Sequence, residues 1–385
     1  MNAMSTSNNQ ALATYACVEN CWYVIGAAAD FPVEKLAGHV VAKKPIVTWR
    51  TKHGQVVAYD DRCAHKRFPL SKGRLMSDGT LECAYHGLRY DMTGKCVMIP
   101  SHPTGPISPQ AVVRPYPIVE QDGLVWLWPG DPALSATRKP PRLPEIGSDD
   151  WKTEIIGPMK IPANYLLLIE NLLDITHFYP LHDGNIGDIE NSRIPVDLEE
   201  GEEDGNRYAM TVRKVTNYKQ PPYLVDWFHY DVVDRHHTHC MMSPGITRVV
   251  MRNAPVGQLA ARAEPGEFPG SMALNGQERG YVLVHAHTPV DENNHLWWAL
   301  INVPAHHMSK EDPGKQTATR IAEMFPNVVE EDKFALIEQQ RMFAYPEDGY
   351  QEVFLKPDLA IRRARVIFQD LMREQEGGIH SVAAE

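Results

Sequence analysis

Two short knuckles constrain this chain more than anything else in it: Cys63-Ala-His65 and, after seventeen intervening residues, Cys83-Ala-Tyr85-His86. Brought together by folding, they supply two thiolates and two imidazoles. That donor set suits a [2Fe–2S] cluster in which two cysteines hold one iron and two histidines hold the other. Neutral imidazoles in place of two thiolates remove negative charge and raise the reduction potential, so such a centre accepts electrons from a low-potential donor. Structural zinc is the competing use of Cys and His at close spacing. Zinc knuckles usually pair like with like, whereas each knuckle here is mixed and offers one ligand to each iron. The flank His86-Gly87-Leu88-Arg89-Tyr90-Asp91 and the turn Thr93-Gly94 suit a loop folded tightly over a cluster.

With those residues, the segment from about Cys21 to Trp128 resembles the Rieske domain of Rieske non-haem iron aromatic oxygenases. Two positions depart from the commonest pattern. Lys66-Arg67 stands where Arg-Gly is usual, and Leu88 where Trp is usual. Neither is one of the four ligands, so the departures bear on packing around the cluster.

A chain of 385 residues is long enough for two domains. From Trp22 to Trp128 short β-branched runs such as Ile46-Val47-Thr48 alternate with Gly54, Gly73, Gly79, Gly87 and Gly94 at turn positions, which implies a small all-β domain. The proline-rich stretch from Pro129 to Pro144 reads as a linker. Strand-like runs at Tyr208–Val212, Arg248–Arg252, Tyr281–His287 and Leu296–Val303 lie between helix-like segments at Tyr165–Asp174 and Asn327–Met342. The expected class is therefore α+β: an N-terminal all-β Rieske [2Fe–2S] domain and a C-terminal antiparallel-sheet catalytic domain with flanking helices. The expected boundaries are a tail over 1–20, the Rieske domain over 21–135, the catalytic domain over 136–374 and a frayed tail over 375–385. The acidic run Asp197–Asp204 reads as a solvated loop. Cys17, Cys21, Cys96 and Cys240 read as free thiols. There is no apolar run long enough for a membrane span and no signal-like N-terminus, so a cytoplasmic location is expected. The net charge of −11 argues against nucleic acid as a partner.

An electron carrier needs somewhere to deliver electrons, and the segment Glu170-Asn-Leu-Leu-Asp174-Ile-Thr-His177-Phe-Tyr-Pro-Leu-His182 offers a site. Pro180 should end the helix and let His182 swing back beside His177. Asp174 is placed one turn before His177 on the same helical face. Two histidines and a carboxylate on one face form the facial triad of oxygen-activating non-haem iron. The preferred carboxylate is Asp332, the one charged member of the stripe Phe325, Val329, Asp332, Leu336. Glu330 and Glu331 are expected to project elsewhere into solvent. Asn171 is open between a loose extra ligand, a water-positioning amide and an ordinary buried amide. His237 and His239 should share a strand face with His236 opposite, and His285 and His287 should share another; one of the first three lining the substrate pocket is reasonable, and ordinary polar residues are the plainer reading of both groups.

The pattern D-x-x-H-x-x-x-x-H resembles the catalytic iron motif of the same oxygenases, and the resemblance implies that Asp174 is an electron bridge to the Rieske histidine of a neighbouring subunit, hence a homotrimer. It further implies a [2Fe–2S] Rieske cluster and mononuclear Fe(II) as cofactors, O₂ and an aromatic small molecule as substrates, and electrons from an NAD(P)H-dependent flavin/iron–sulfur reductase, directly or through a ferredoxin. Chain length, both motifs and Pro289-Val-Asp-Glu-Asn followed by Trp297 are similar to the vanillate, dicamba and phthalate-type branch. The reaction implied is monooxygenation with O- or N-demethylation or ring hydroxylation; the alternative is phthalate-type cis-dihydroxylation. A Rieske electron carrier and a structural zinc protein are the readings outside this class.

Overall fold

The computed structural model describes residues 15–183, 185–259, 277–305, 315–345, 350 and 352–382. The chain divides into two compact units. One comprises Glu19–Pro140 with Thr288–Asp291; the other comprises Pro141–His287, the residues from Glu292 onward and those before Glu19.

The first unit is built from short strands: β1 (Tyr23–Ala27), β2 (Ala37–Val41), β3 (Lys44–Arg50), β4 (Val56–Asp60), β5 (Arg74–Leu75), β6 (Leu81–Glu82), β7 (Arg89–Tyr90), β8 (Cys96–Met98), β9 (Ile118–Gln121) and β10 (Leu124–Leu127). They form three sheets in the orders β1-β10-β9, β2-β3-β4 and β5-β6-β7-β8. The β-branched run Ile46-Val47-Thr48 lies in the central strand β3 and is fully buried, as side chains packed on both faces require. Val47, Trp49, Tyr59, Leu81 and Tyr90 make a core that also holds Cys63 and Cys83. Glu82 is buried and clamped by Arg74 and Arg89, which ties β5, β6 and β7 together. Burial would raise the Glu82 carboxyl, but the two guanidiniums outweigh it and hold it below its usual range.

The second unit carries a seven-stranded sheet of β11 (Trp151–Ile161), β12 (Asp197–Glu203), β13 (Asn206–Lys219), β14 (Val232–Ser243), β15 (Ile246–Ala254), β16 (Arg279–Asp291) and β17 (Asn294–Pro304). Its order is β11-β17-β16-β15-β14-β13-β12, a meander of sequential neighbours with the first strand added at the far edge. Among the described residues six helices accompany it: α1 (Tyr165–Leu173), α2 (Phe178–Leu181), α3 (Ile189–Ser192), α4 (Pro222–Phe228), α5 (Lys315–Met342) and α6 (Leu359–Val382). The apolar side of α5, with Ile321, Phe325, Val329 and Leu336, packs with Trp297 and Ile301 of β17. α1 begins at an Asn164 cap whose side chain accepts from the Leu166 amide. Arg365 of α6 pairs with the buried Glu170 of α1, fixing the helix that leads into the metal motif.

The acidic run is not a loop. Asp197–Glu203 is the edge strand β12, paired residue by residue with β13 across a turn at Asp204-Gly205. Charged side chains on an exposed edge discourage pairing with another chain, and so they read like a loop while serving a strand. At the N-terminal side, Cys17 and Val18 are buried. At the C-terminal side, α6 continues through the segment expected as a tail, as far as Val382.

Candidate metal centres

The two knuckles fold as the same turn. In the first, the Arg67 amide donates to the Cys63 carbonyl and the Cys63 amide to the Phe68 carbonyl; in the second, the Gly87 amide donates to Cys83 and the Cys83 amide to Leu88. The fifth residue of each has a left-handed backbone, with φ of 56° at Arg67 and 73° at Gly87. Glycine meets this demand freely and arginine does not. Cys63 and Cys83 are buried while His65 and His86 are exposed. The two Nδ1 atoms face each other 3.2 Å apart, and the thiols lie within hydrogen-bonding reach of one another. Burial raises the Cys83 thiol. The Tyr90 hydroxyl oxygen accepts from the Ala64 amide and also lies 3.1 Å from Cys63 Sγ, so it can donate to a thiolate there. Two adjacent thiols at the core and two convergent imidazole nitrogens at the surface fit a cluster held by Cys₂ and His₂.

In the second unit the structure brings His177, His182 and Asp332 together, with one ligand atom of each within 4.8 Å of the others. Asp332 Oδ1 lies 3.6 Å from His177 Nε2 and 3.3 Å from His182 Nε2. Both Nε2 atoms are buried and have no hydrogen-bond partner. Their other nitrogens are engaged: His182 Nδ1 meets Glu331 Oε2 at 2.6 Å, and His177 hydrogen-bonds the Asp174 backbone. Each imidazole therefore presents its lone pair at Nε2, toward the shared carboxylate. Two orphaned lone pairs and a buried carboxylate aimed at one point fit a 2-His-1-carboxylate iron site. Burial lowers the His177 imidazole below its ordinary range. Burial acts the same way on His182, but Asp332 and Glu331 outweigh it and raise that group.

The local route to this geometry differs from the expected one. α1 ends at Leu173, and Asp174 is its extended C-cap residue, so Asp174 and His177 do not share a helical face. His177 instead caps α2, a single turn that contains Pro180 and ends at His182. A four-residue turn returns the second imidazole to the first without a long helix to break. The Asp174 carboxylate accepts from the Thr176 amide at 2.8 Å and the Thr176 hydroxyl at 2.6 Å. Asn171 Nδ2 donates to Asp332 Oδ1 at 3.0 Å, and its Oδ1 has no partner. The stripe Phe325, Val329, Asp332, Leu336 is buried along its length. Glu331 corrects the expectation of a solvated side chain, because it holds His182.

An apolar cavity opens beside the triad, with an empty volume of about 720 Å³ including solvent at its mouth. Its walls are mainly aromatic and aliphatic, with Trp227, Leu283, Ile321 and Phe325 among them. His237, His239 and His285 also line it and are buried. Burial holds all three neutral, with His285 pushed down to about 4. Alternation along a strand puts His237 and His239 on one face, and that face lines the cavity, which favours pocket lining over the plainer reading of ordinary polar residues.

The Rieske [2Fe-2S] domain family matches residues 21–117, and the vanillate O-demethylase oxygenase C-terminal domain family matches residues 161–374. The iron–sulfur subunit of the toluene-4-sulfonate monooxygenase system of Comamonas testosteroni is 36% identical over 173 residues, 44% of this chain and 48% of that one. The chain thus spans about half the length of that relative. The vanillate O-demethylase oxygenase subunit of Pseudomonas sp. (strain HR199 / DSM 7063) is 28% identical over 93% of this chain and 96% of its own. A crystal structure of dicamba monooxygenase bound to dicamba superposes with a TM-score of 0.76 at 28% identity, covering 94% of this chain and 99% of that one. No helix among the described residues is long and apolar enough to cross a membrane. Two domain families in tandem, a Cys₂His₂ donor set in one unit and a His₂Asp set in the other identify the chain as a member of the vanillate O-demethylase branch of the Rieske oxygenases.

Proposed function

We propose that this chain is the terminal oxygenase component of a Rieske oxygenase system and monooxygenates a substituted aromatic compound, by O- or N-demethylation or ring hydroxylation. The observation that carries the reading is the pair of orphaned His177 and His182 Nε2 atoms facing Asp332 at the edge of an apolar cavity, in a chain that also bears a Rieske domain. Cys63, Cys83, His65 and His86 hold the [2Fe–2S] cluster in this reading, and His177, His182 and Asp332 hold the mononuclear iron. A solved dicamba monooxygenase with non-haem iron and dicamba supports the metal.

When bound, a ferrous iron with open positions supplies oxygen activation. The protein's share is orientation and exclusion. Glu331 accepts the His182 Nδ1 proton and thereby keeps the Nε2 lone pair exposed. Asn171 holds Asp332 through Oδ1. The cavity walls present an aromatic ring to the triad in the absence of bulk water. Asp174 is the electron bridge to the Rieske histidine of a neighbouring subunit, which requires an oligomer, and a head-to-tail homotrimer satisfies this with closed symmetry. Electrons come from an NAD(P)H-dependent flavin/iron–sulfur reductase, directly or through a ferredoxin, and the system works in the cytoplasm.

Metal analysis with EPR tests the reading. About three irons and two sulfides per chain, with a low-average-g Rieske signal on dithionite reduction, are expected. Zinc without sulfide overturns it, as does a fully loaded protein that never forms formaldehyde or a hydroxylated product with any methoxylated aromatic.

A further inference from the structure

The cavity's polar groups have determinate roles. His239 Nδ1 meets the Leu172 carbonyl at 2.6 Å, and a carbonyl only accepts, so Nδ1 carries the proton and Nε2 a lone pair. That Nε2 lies 3.1 Å from His237 Nε2, which must therefore donate. His237 is left with a bare Nδ1 lone pair, buried and without a partner. His285 is the converse. Trp297 Nε1–H donates to its Nδ1 at 3.1 Å, which puts its proton on Nε2, again buried and without a partner. One acceptor and one donor thus stand unsatisfied on a cavity wall that is otherwise mainly apolar, and buried groups of this kind cost stability unless something occupies them.

Their spacing follows from the sheet. His237 pairs with Met251 and His285 with Thr247, so the two histidines sit on strands either side of β15, four residues out of register. Both side chains line the cavity. His177, His182 and Asp332 line the same cavity. Among the described residues no Arg or Lys lines the cavity; the buried Arg213, whose charge acts on His237 and His239, is not part of its lining.

We infer that the cavity selects an uncharged aromatic substrate, a phenol whose hydroxyl donates to His237 Nδ1 and whose alkoxy or carbonyl oxygen across the ring accepts from His285 Nε2–H, in preference to an aromatic anion. The inference rests on the aromatic-oxygenase reading and adds the substrate's charge and polar pattern to it. It separates this chain from relatives whose names carry toluene-4-sulfonate or dicamba.

The test is calorimetric titration of the anaerobic holoprotein at neutral pH with 4-methoxyphenol, 4-methylanisole and 4-methoxybenzoate. The first two differ by one hydroxyl in place of a methyl. 4-Methoxyphenol should bind about tenfold more tightly than 4-methylanisole, as for one added hydrogen bond, and more tightly still than the benzoate. His237→Phe should bring the phenol and the anisole to equal affinity while leaving the anisole unchanged; His285→Phe should weaken both ethers alike. Equal binding of phenol and anisole in the wild type, tighter binding of the benzoate, or no binding of the phenol overturns the inference. The wild-type ranking decides alone if a variant fails to fold. Iron content and probe-stimulated O₂ uptake, read in parallel, report on the oxygenase reading: their absence sinks that reading whatever the ranking, and a reversed ranking with both present sinks only the inference.

Discussion

Glu331→Gln separates what a carboxylate does for a metal ligand from what it does for a proton. Glu331 Oε2 lies 2.6 Å from His182 Nδ1, and the variant keeps the shape of the side chain while removing its charge. A partner behind a ligating histidine raises its basicity, and losing one typically costs about 10–100-fold in metal affinity. Glu331 is 34% exposed, so water screens part of its effect and the lower end, about tenfold, is expected. Metal and proton compete for the same Nε2 lone pair, and Glu331 favours both. Above the raised His182 pKa the site is proton-free, and the variant shows its full loss. Below that pKa the wild type must release a proton that Glu331 also stabilises, so the two effects cancel and the loss shrinks. Fe(II) affinity by anaerobic competition with a chelator, measured on both proteins across neutral and acidic pH, gives the ratio directly. The Rieske EPR signal serves as the folding control. A ratio of one throughout, or one that grows on acidification, refutes the assignment of Glu331 as the orienting partner of His182.

Arg67→Gly should stabilise the Rieske unit by about 1 kcal/mol, because φ of 56° is strained for arginine; thermal melting with an unchanged EPR signal checks it, and a lower midpoint counts against the strain. Arg213 is buried with Nε and Nη2 unpartnered, and burial pushes its guanidinium down to about 10. Against an ordinary value of 12.5 that depression is roughly 3 kcal/mol disfavouring the charged form, fully present below pH 10 and relieved only above it. Arg213→Met should therefore raise the denaturation midpoint at neutral pH by up to that amount; a fall would mean that the Thr211 hydroxyl and the Asp174 charge compensate the buried guanidinium. Asp174→Asn should keep both metal sites filled, since the Thr176 amide can still donate to the amide oxygen, while turnover with reductase is abolished; normal turnover removes Asp174 from the electron path.

Both donor sets were legible in the sequence because they are local or periodic. The four Cys and His donors occupy two short knuckles, and Asp332 is the one charge in a buried helical stripe. Long-range partners were not. Glu331 is one position from Asp332, but what makes it a partner is the docking of the α2 turn, which the helix period does not encode. The His239–His237 chain depends on the Leu172 carbonyl at the end of α1, far away in sequence. The acidic edge strand was misread because alternation marks strands with one buried face, and β12 is exposed or half-buried at every position.

Nearly the whole seven-stranded sheet lies in sequence between His182 and Asp332, so an ion joining them closes one very long loop of chain. The entropy of closing a loop grows only logarithmically with its length, and doubling it costs about 0.6 kcal/mol. Insertions in the hairpins of the sheet therefore leave the chelate almost untouched. The hairpins between the strands that shape the cavity can change in length with little effect on closure of the triad.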